Sequence, residues 1–141
     1  MTIEEHVRAQ TGLLLRRLAA QVNRAAKSCD KDAVHDLRVS IRRLSRGLRV
    51  FSQFYPEGSW KKSRRRLKTL MEAAGAVRDM DIAMDFLNDA GIGSSSPLVR
   101  RLAETRRARR RELAREVRVW KARGFSKKWR TTLGLSAITK A

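Results

Sequence analysis

The chain has 141 residues, of which 33 are Lys or Arg and 14 are Asp or Glu, a formal net charge of +19. That length holds one domain with one core, and a hydrophobic content of 42% excludes wholesale disorder. So large an excess of one charge repels itself in the folded state and points to an anionic partner: nucleic acid, a membrane surface or a phosphate polymer.

Sparse Gly and Pro beside abundant Ala, Leu and Arg are helix composition. The first predicted helix runs from about Glu4 to Lys27, with Val7, Leu14, Leu18, Val22 and Ala25 at helical spacing. The turn from Ser28 to Asp32 supplies an N-cap for the second helix, which runs to about Phe54 and stops at Tyr55-Pro56-Glu57-Gly58-Ser59. A third runs from about Trp60 to Asp89. The longest link, Gly91 to Pro97, ends with Ser96 as N-cap and Pro97 as the first residue of a fourth helix, which runs to about Ala122. After Gly124, the residues Phe125, Trp129 and Leu133 mark a short terminal helix. Short links make neighbouring helices antiparallel, so the expected fold is all-α: an up-and-down four-helix bundle with a short C-terminal helix, one domain over residues 1–141.

The second helix carries the strongest signal. Val34, Leu37, Ile41, Leu44, Leu48 and Phe51 fill an arc of about 100°, a core face. His35, Arg38, Arg42, Arg46 and Arg49 fill an adjoining arc of about 80°, a cationic stripe about 21 Å long. A single Arg there would be an ordinary solvated residue. Five cations in line, with no acid between them, oppose helix stability, so they predict a binding face. His35 opens the stripe in the first turn, where the free N–H groups and partial positive charge of a helix N-terminus suit an anion.

In the third helix, six of the eight residues Lys61 to Lys68 are cations, too many for one groove. Arg64 and Lys68 share a face, with Arg78 in reach further along. Asp79, Asp81 and Asp85 have no fourth ligand to complete a metal site, and local salt bridges are expected instead. In the fourth helix, Leu98, Leu102, Leu113, Val117 and Trp120 mark the core face, and Arg106 and Arg109 fall inside the same arc. Either these two pair with carboxylates, Glu112 and Glu116 being near, or they face a wet, anion-holding surface. Arg107, Arg111 and Arg118 lie opposite, as a solvated face. Cys29 stands alone, which leaves no disulfide or Cys-based metal site, and reads as an ordinary residue at a helix boundary.

The run Val34-His35-Asp36-Leu37-Arg38-Val39-Ser40-Ile41-Arg42-Arg43-Leu44 resembles the hallmark of CHAD domains, helical domains named for a histidine. Further on, Gly75-Ala76-Val77-Arg78-Asp79-Met80-Asp81 resembles their second motif, Gly-x-x-Arg-Asp-x-Asp on the third helix. Ala74 departs from it, since the family usually has Leu before the Gly. The resemblance covers roughly residues 4–135. It implies two four-helix bundles around a basic channel that binds inorganic polyphosphate, often at polyphosphate granules. Carried over by position, His35, Arg38, Arg42 and Arg46 would contact the polymer, with Lys68, Arg78 and Arg106 as additions.

These signals together predict a non-enzymatic, cytoplasmic polyphosphate-binding module. Its expected contacts are His35, Arg38, Arg42, Arg46, Arg49, Arg64, Lys68, Arg78, Arg106 and Arg109. No cofactor is expected, and no segment is apolar enough to span a membrane. One bundle is about half of the two-bundle family domain, so a homodimer is expected to rebuild the channel. The alternative is nucleic-acid binding, weak in this reading because the stripe lacks interleaved aromatics and base-reading Asn or Gln. Catalysis lacks its usual marks: no phosphate-cradling Gly loop, no Glu-x-Glu-x-Lys, and no nucleophile–base pair.

Overall fold

A computed structural model describes residues 1–135. Its helices are α1 (Ile3–Lys27), α2 (Lys31–Val50), α3 (Ser59–Asp89), α4 (Pro97–Arg123) and α5 (Phe125–Thr132), and no strand occurs among the described residues. The all-α class is as the composition predicts. Each long helix packs against its neighbours in the chain, α4 also returns to α1, and α5 lies on α1.

Local chemistry sets the boundaries. Thr2 and Glu5 form a reciprocal capping box at the start of α1, with bonds of 3.1 and 3.2 Å. Asp30 caps α2 by accepting from the Ala33 N–H at 2.8 Å. The N–H groups left over at the helix start hold the Asp30 carboxyl below its ordinary pKa, the Ala33 bond contributing most. Gly124, at φ 59°, takes the left-handed conformation that ends α4 and lets α5 turn back. Two expectations shift here. The regular part of α2 ends at Val50, and a 3₁₀ turn over Ser52–Phe54 carries the chain on towards Pro56. Ser96 holds the N-cap position of α4 but makes no side-chain cap bond; Pro97 sits inside the first turn as expected.

The core is continuous from α1 to α5. Val7, Leu15, Leu18, Val22 and Ala25 of α1 meet Val34, Leu37, Ile41, Leu44 and Leu48 of α2, all buried. Leu15 takes the fully buried place expected of Leu14, because α1 also contacts α4 and α5 and so buries a wider face. Leu14 is half-buried and packs against Gly47, where an added Cβ would stand 3.3 Å from its methyl. Gly47 thus lets α2 approach α1 closely on the side away from the stripe of Arg38, Arg42 and Arg49. At the far end, Trp120, Phe125 and Trp129 form a T-shaped cluster, with centroids 4.9 to 5.4 Å apart.

The core face of α4 is rotated from the expected one. Leu98 is 48% exposed, and its neighbour Val99 is buried instead. At 100° per residue, Val99, Leu102, Arg106, Leu113, Val117 and Trp120 cluster about one line, with Leu98 and Arg109 at one edge and Arg110 at the other. Arg109 therefore turns outward, and Arg110 turns towards α3.

Candidate functional site

The N-terminal half of α3 packs along the C-terminal half of α2 and opens a groove of about 940 Å³. Its floor is Ile41, Leu67, Met71 and part of Trp60, and its rims carry seven cations: Arg42, Arg46 and Arg49 from α2, and Lys61, Arg64, Arg65 and Lys68 from α3. Ser45 lies between the rims, and Glu72 is the single carboxylate of the lining. The sequence explains why the walls are basic and the floor is not. Ile41, Leu44 and Leu48 turn into the core, and the arginines one or two residues away emerge on one flank. On α3, Leu67 and Leu70 do the same beside Arg64 and Lys68.

Arg64 is held in place. Its Nε donates to Ser45 Oγ at 3.3 Å, which ties α3 to α2 across the groove. Among the described residues, Arg42, Arg46, Arg49, Lys61 and Lys68 make no ion pair and are exposed, so their charge is uncompensated at short range. Of the six cations in the run from Lys61, four line the groove. Lys62 does not, and Arg66 turns to the α4 side, its guanidinium 4.9 Å from the Trp120 ring centroid.

Half of the expected site residues thus come together in this groove: Arg42, Arg46, Arg49, Arg64 and Lys68. His35 and Arg38 continue the same stripe towards the start of α2, beyond the groove. Lys31 there bonds Asp85 near the end of α3, at 2.8 Å, so the two helices run side by side in opposite senses. His35 is exposed, and as the fifth residue of α2 it lies past the free N–H groups of the helix end. The placement in the first turn is therefore corrected, and with it the contribution of the helix terminus. Arg38 is half-buried, with its Nε buried and unbonded. Arg78 is half-buried near the Lys31–Asp85 pair. The Asp85 carboxyl is held below its ordinary pKa, first by the Lys31 hydrogen bond and then by the charges of Lys31, Arg78 and Arg106.

Arg106 and Arg109 do not join the groove. Arg106 faces Asp81 of α3, which is only 1% exposed, at 3.7 Å, and Arg110 approaches the same oxygen at the same distance. This carboxylate closes the α3–α4 contact and answers a charge that the α4 pattern leaves unpaired. Arg109 pairs with Glu112 on the surface at 3.2 Å. Glu116 serves no arginine; it accepts from the Trp120 indole N–H at 3.1 Å. Of the three acids for which local salt bridges are expected, Asp81 pairs with α4 and Asp85 with α2, both between helices, and Asp79 makes no ion pair among the described residues. Cys29 donates to the Ala25 carbonyl, and its thiol is pushed up by burial, partly offset by the charges of Arg110 and Arg118.

Three groove residues escape the sequence reading. Lys61 and Arg65 were hidden in a dense basic run whose inward side no periodicity marks. Trp60 was hidden by its place at the very start of a helix. It brings an aromatic ring from α3 to the groove beside a stripe that has no interleaved aromatics of its own. Its only sequence signal is its position one turn before Arg64.

The groove lines up donors suited to anionic oxygens. Guanidinium forks and ammonium groups along both walls match repeated phosphate oxygens, and each contact gains from charge assistance. No group of three or more His, Cys, Asp or Glu side chains that could hold a metal occurs among the described residues, and no described helix is long and apolar enough to cross a membrane.

No curated protein and no solved structure matches the chain. The family model of the CHAD domain matches residues 9–140, nearly the whole chain, and spans both the α2 stripe and the Asp81 motif. That family is associated with polyphosphate binding, and this chain belongs to it.

Proposed function

We propose that the protein binds inorganic polyphosphate along the α2–α3 groove, as a binding module and not as a catalyst. The observation that carries this reading is the collection of seven cations against one carboxylate on the walls of a single groove. A linear polyanion can engage several of them at once, and each further contact is intramolecular once the first has formed. Arg38, Arg78 and His35 extend the basic track past the groove towards the end of α3. Arg106 contributes charge from behind Asp81, and Arg109 is too far round α4 to add a contact. The four long helices are read here as an antiparallel up-and-down bundle, in which α2 and α3 hold the walls at a fixed separation. The expected location is cytoplasmic, at polyphosphate granules.

The same reading includes a homodimer. Ile82 and Phe86 are 50% and 71% exposed. They stand five turns beyond Arg64 and Lys68, on the same face of α3, since about eighteen residues complete five turns. An apolar contact there would set two grooves face to face. Light scattering that shows a monomer both with and without polyphosphate would remove the dimer.

Nucleic-acid binding is the second reading, and Trp60 in the groove is what favours it. Titration with polyphosphates of defined length, with RNA as competitor, separates the two. Polyphosphate is expected to displace RNA at equal phosphate concentration; the reverse order would assign the groove to nucleic acid. Release of orthophosphate from polyphosphate with a divalent metal present would overturn the non-catalytic assignment.

A further inference from the structure

The groove is not uniform along its length. Towards Lys68 it is cationic over an aliphatic floor of Ile41, Leu67 and Met71; at its other end the floor is an indole. Trp60 is half-buried, with part of its ring against the core and the rest in the groove. The Lys61 ammonium stands over the ring, 5.7 Å from its centroid. Lys61 is exposed, and it lines the groove together with Trp60. The other two tryptophans, Trp120 and Trp129, are buried at 1% and 5% exposure and are engaged with each other.

An aromatic face with an exposed cation resting on it, next to a row of guanidinium groups, suits a ligand that is planar at one end and polyanionic at the other. A linear phosphate uses only the second feature. We propose that the Trp60 end of the groove is a stacking subsite for the base of a nucleoside polyphosphate, with the phosphates on Arg64, Arg46 and Lys68. The inference rests on the groove being a phosphate site and names a second ligand class for it. Entry of the base displaces Lys61 from the ring and frees its ammonium for the phosphate nearest the ribose. Arg64 and Lys68 follow Trp60 at one and two turns, about 6 and 12 Å along the axis, a spacing that suits alternate phosphates of the tail. Arg64 is already oriented by Ser45 and needs no rearrangement.

The comparison that tests this is ATP against tripolyphosphate, bound to the full chain at physiological salt. Tripolyphosphate carries at least as much charge, so attraction to a basic surface alone favours it or leaves the two equal. Stacking, net of the displaced ammonium, predicts instead that ATP binds about tenfold tighter. In Trp60→Leu the ratio of the two affinities is expected to fall to near one, and Trp60→Phe to restore part of the preference. Fluorescence provides a readout that needs no variant. With Trp120 and Trp129 buried, ATP should quench the emission of Trp60 where tripolyphosphate does not. If neither ligand binds, the phosphate reading of the groove fails and this subsite with it. If tripolyphosphate binds and ATP binds no tighter, or the ATP preference survives Trp60→Leu, the subsite alone is overturned.

Discussion

Ser45 and Arg64 meet across the groove, the hydroxyl oxygen of one accepting from the Nε of the other at 3.3 Å. Ser45 sits between Arg42 and Arg46 on α2, so this bond ties an α3 guanidinium to the α2 wall of the groove. A serine among arginines would otherwise pass as a solvated filler. Ser45→Ala keeps the net charge of +19 and removes only this orientation. Loss of one neutral-acceptor bond is worth about 0.5–1.5 kcal/mol, so polyphosphate affinity is expected to fall roughly two- to tenfold with an unchanged circular dichroism spectrum. Calorimetric titration of the variant checks it; an unchanged affinity means that Arg64 needs no positioning.

Salt provides a count of contacts. Neutralised phosphates release counterions, and for single-stranded polyanions the log–log slope is about −0.7 per contact. With five to seven groove cations engaged, the slope of log affinity against log salt should lie at about −3.5 to −5. Fluorescence titrations between low and physiological salt measure it. A slope near zero would mean that the cations do not touch the polymer.

Asp81 predicts a stability effect separate from binding. Its carboxylate is buried against Arg106 and Arg110, whose side chains keep 30% and 31% of their exposure. Asp81→Ala leaves both guanidinium groups facing an apolar contact without a counter-charge. Breaking such a pair costs several kcal/mol when fully buried, and the partial exposure of the arginines reduces this to about 1–3 kcal/mol. A lowered urea midpoint with an unchanged slope is the expected result, and polyphosphate affinity should change far less than in variants of the groove.

The Lys31–Asp85 pair predicts a response to acid. Because the folded-state pKa of Asp85 is lowered, its contribution is present above the unfolded value of about 3.9. It is lost as pH falls through the lower, folded value. Asp85→Asn should therefore be less stable than the parent at pH 7, and the difference should close as pH drops below about 4. Thermal melts across that range check the sign; a gap that stays constant would remove the ion pair as its source.

Much of this was legible in the sequence because helical periodicity sorts residues by angle. Val34 to Leu48 and Arg42 to Arg49 separate cleanly on α2, where every core position is aliphatic. Periodicity falters where a face has ragged edges. On α4, Leu98 and Arg109 lie near the margin of the apolar arc, and a rotation of a few tens of degrees exchanges them for Val99 and Arg110. Partners between helices were invisible for a different reason. Asp81 meets Arg106 and Arg110, and Trp60 meets the α2 stripe, only after the chain has folded back, and no local spacing encodes either contact. The two motifs that resemble the CHAD hallmark carried the rest: they supplied the phosphate-polymer reading, which charge alone leaves open.

The central claim is that polyphosphate occupies the groove and is not merely drawn to a basic surface. Two double variants test it most directly. Arg42→Ala with Arg46→Ala takes two cations from the groove wall, and Arg107→Ala with Arg118→Ala takes two exposed cations from α4, so each lowers the net charge of +19 by two. The field at long range changes alike in both. Each groove arginine also loses charge-assisted bonds worth about 1.5–3 kcal/mol. At physiological salt, with both variants shown to be folded, the groove pair should lose affinity for a long polyphosphate by two orders of magnitude or more, about 3 kcal/mol, and the α4 pair by only a fewfold. Equal losses in the two variants would contradict the account.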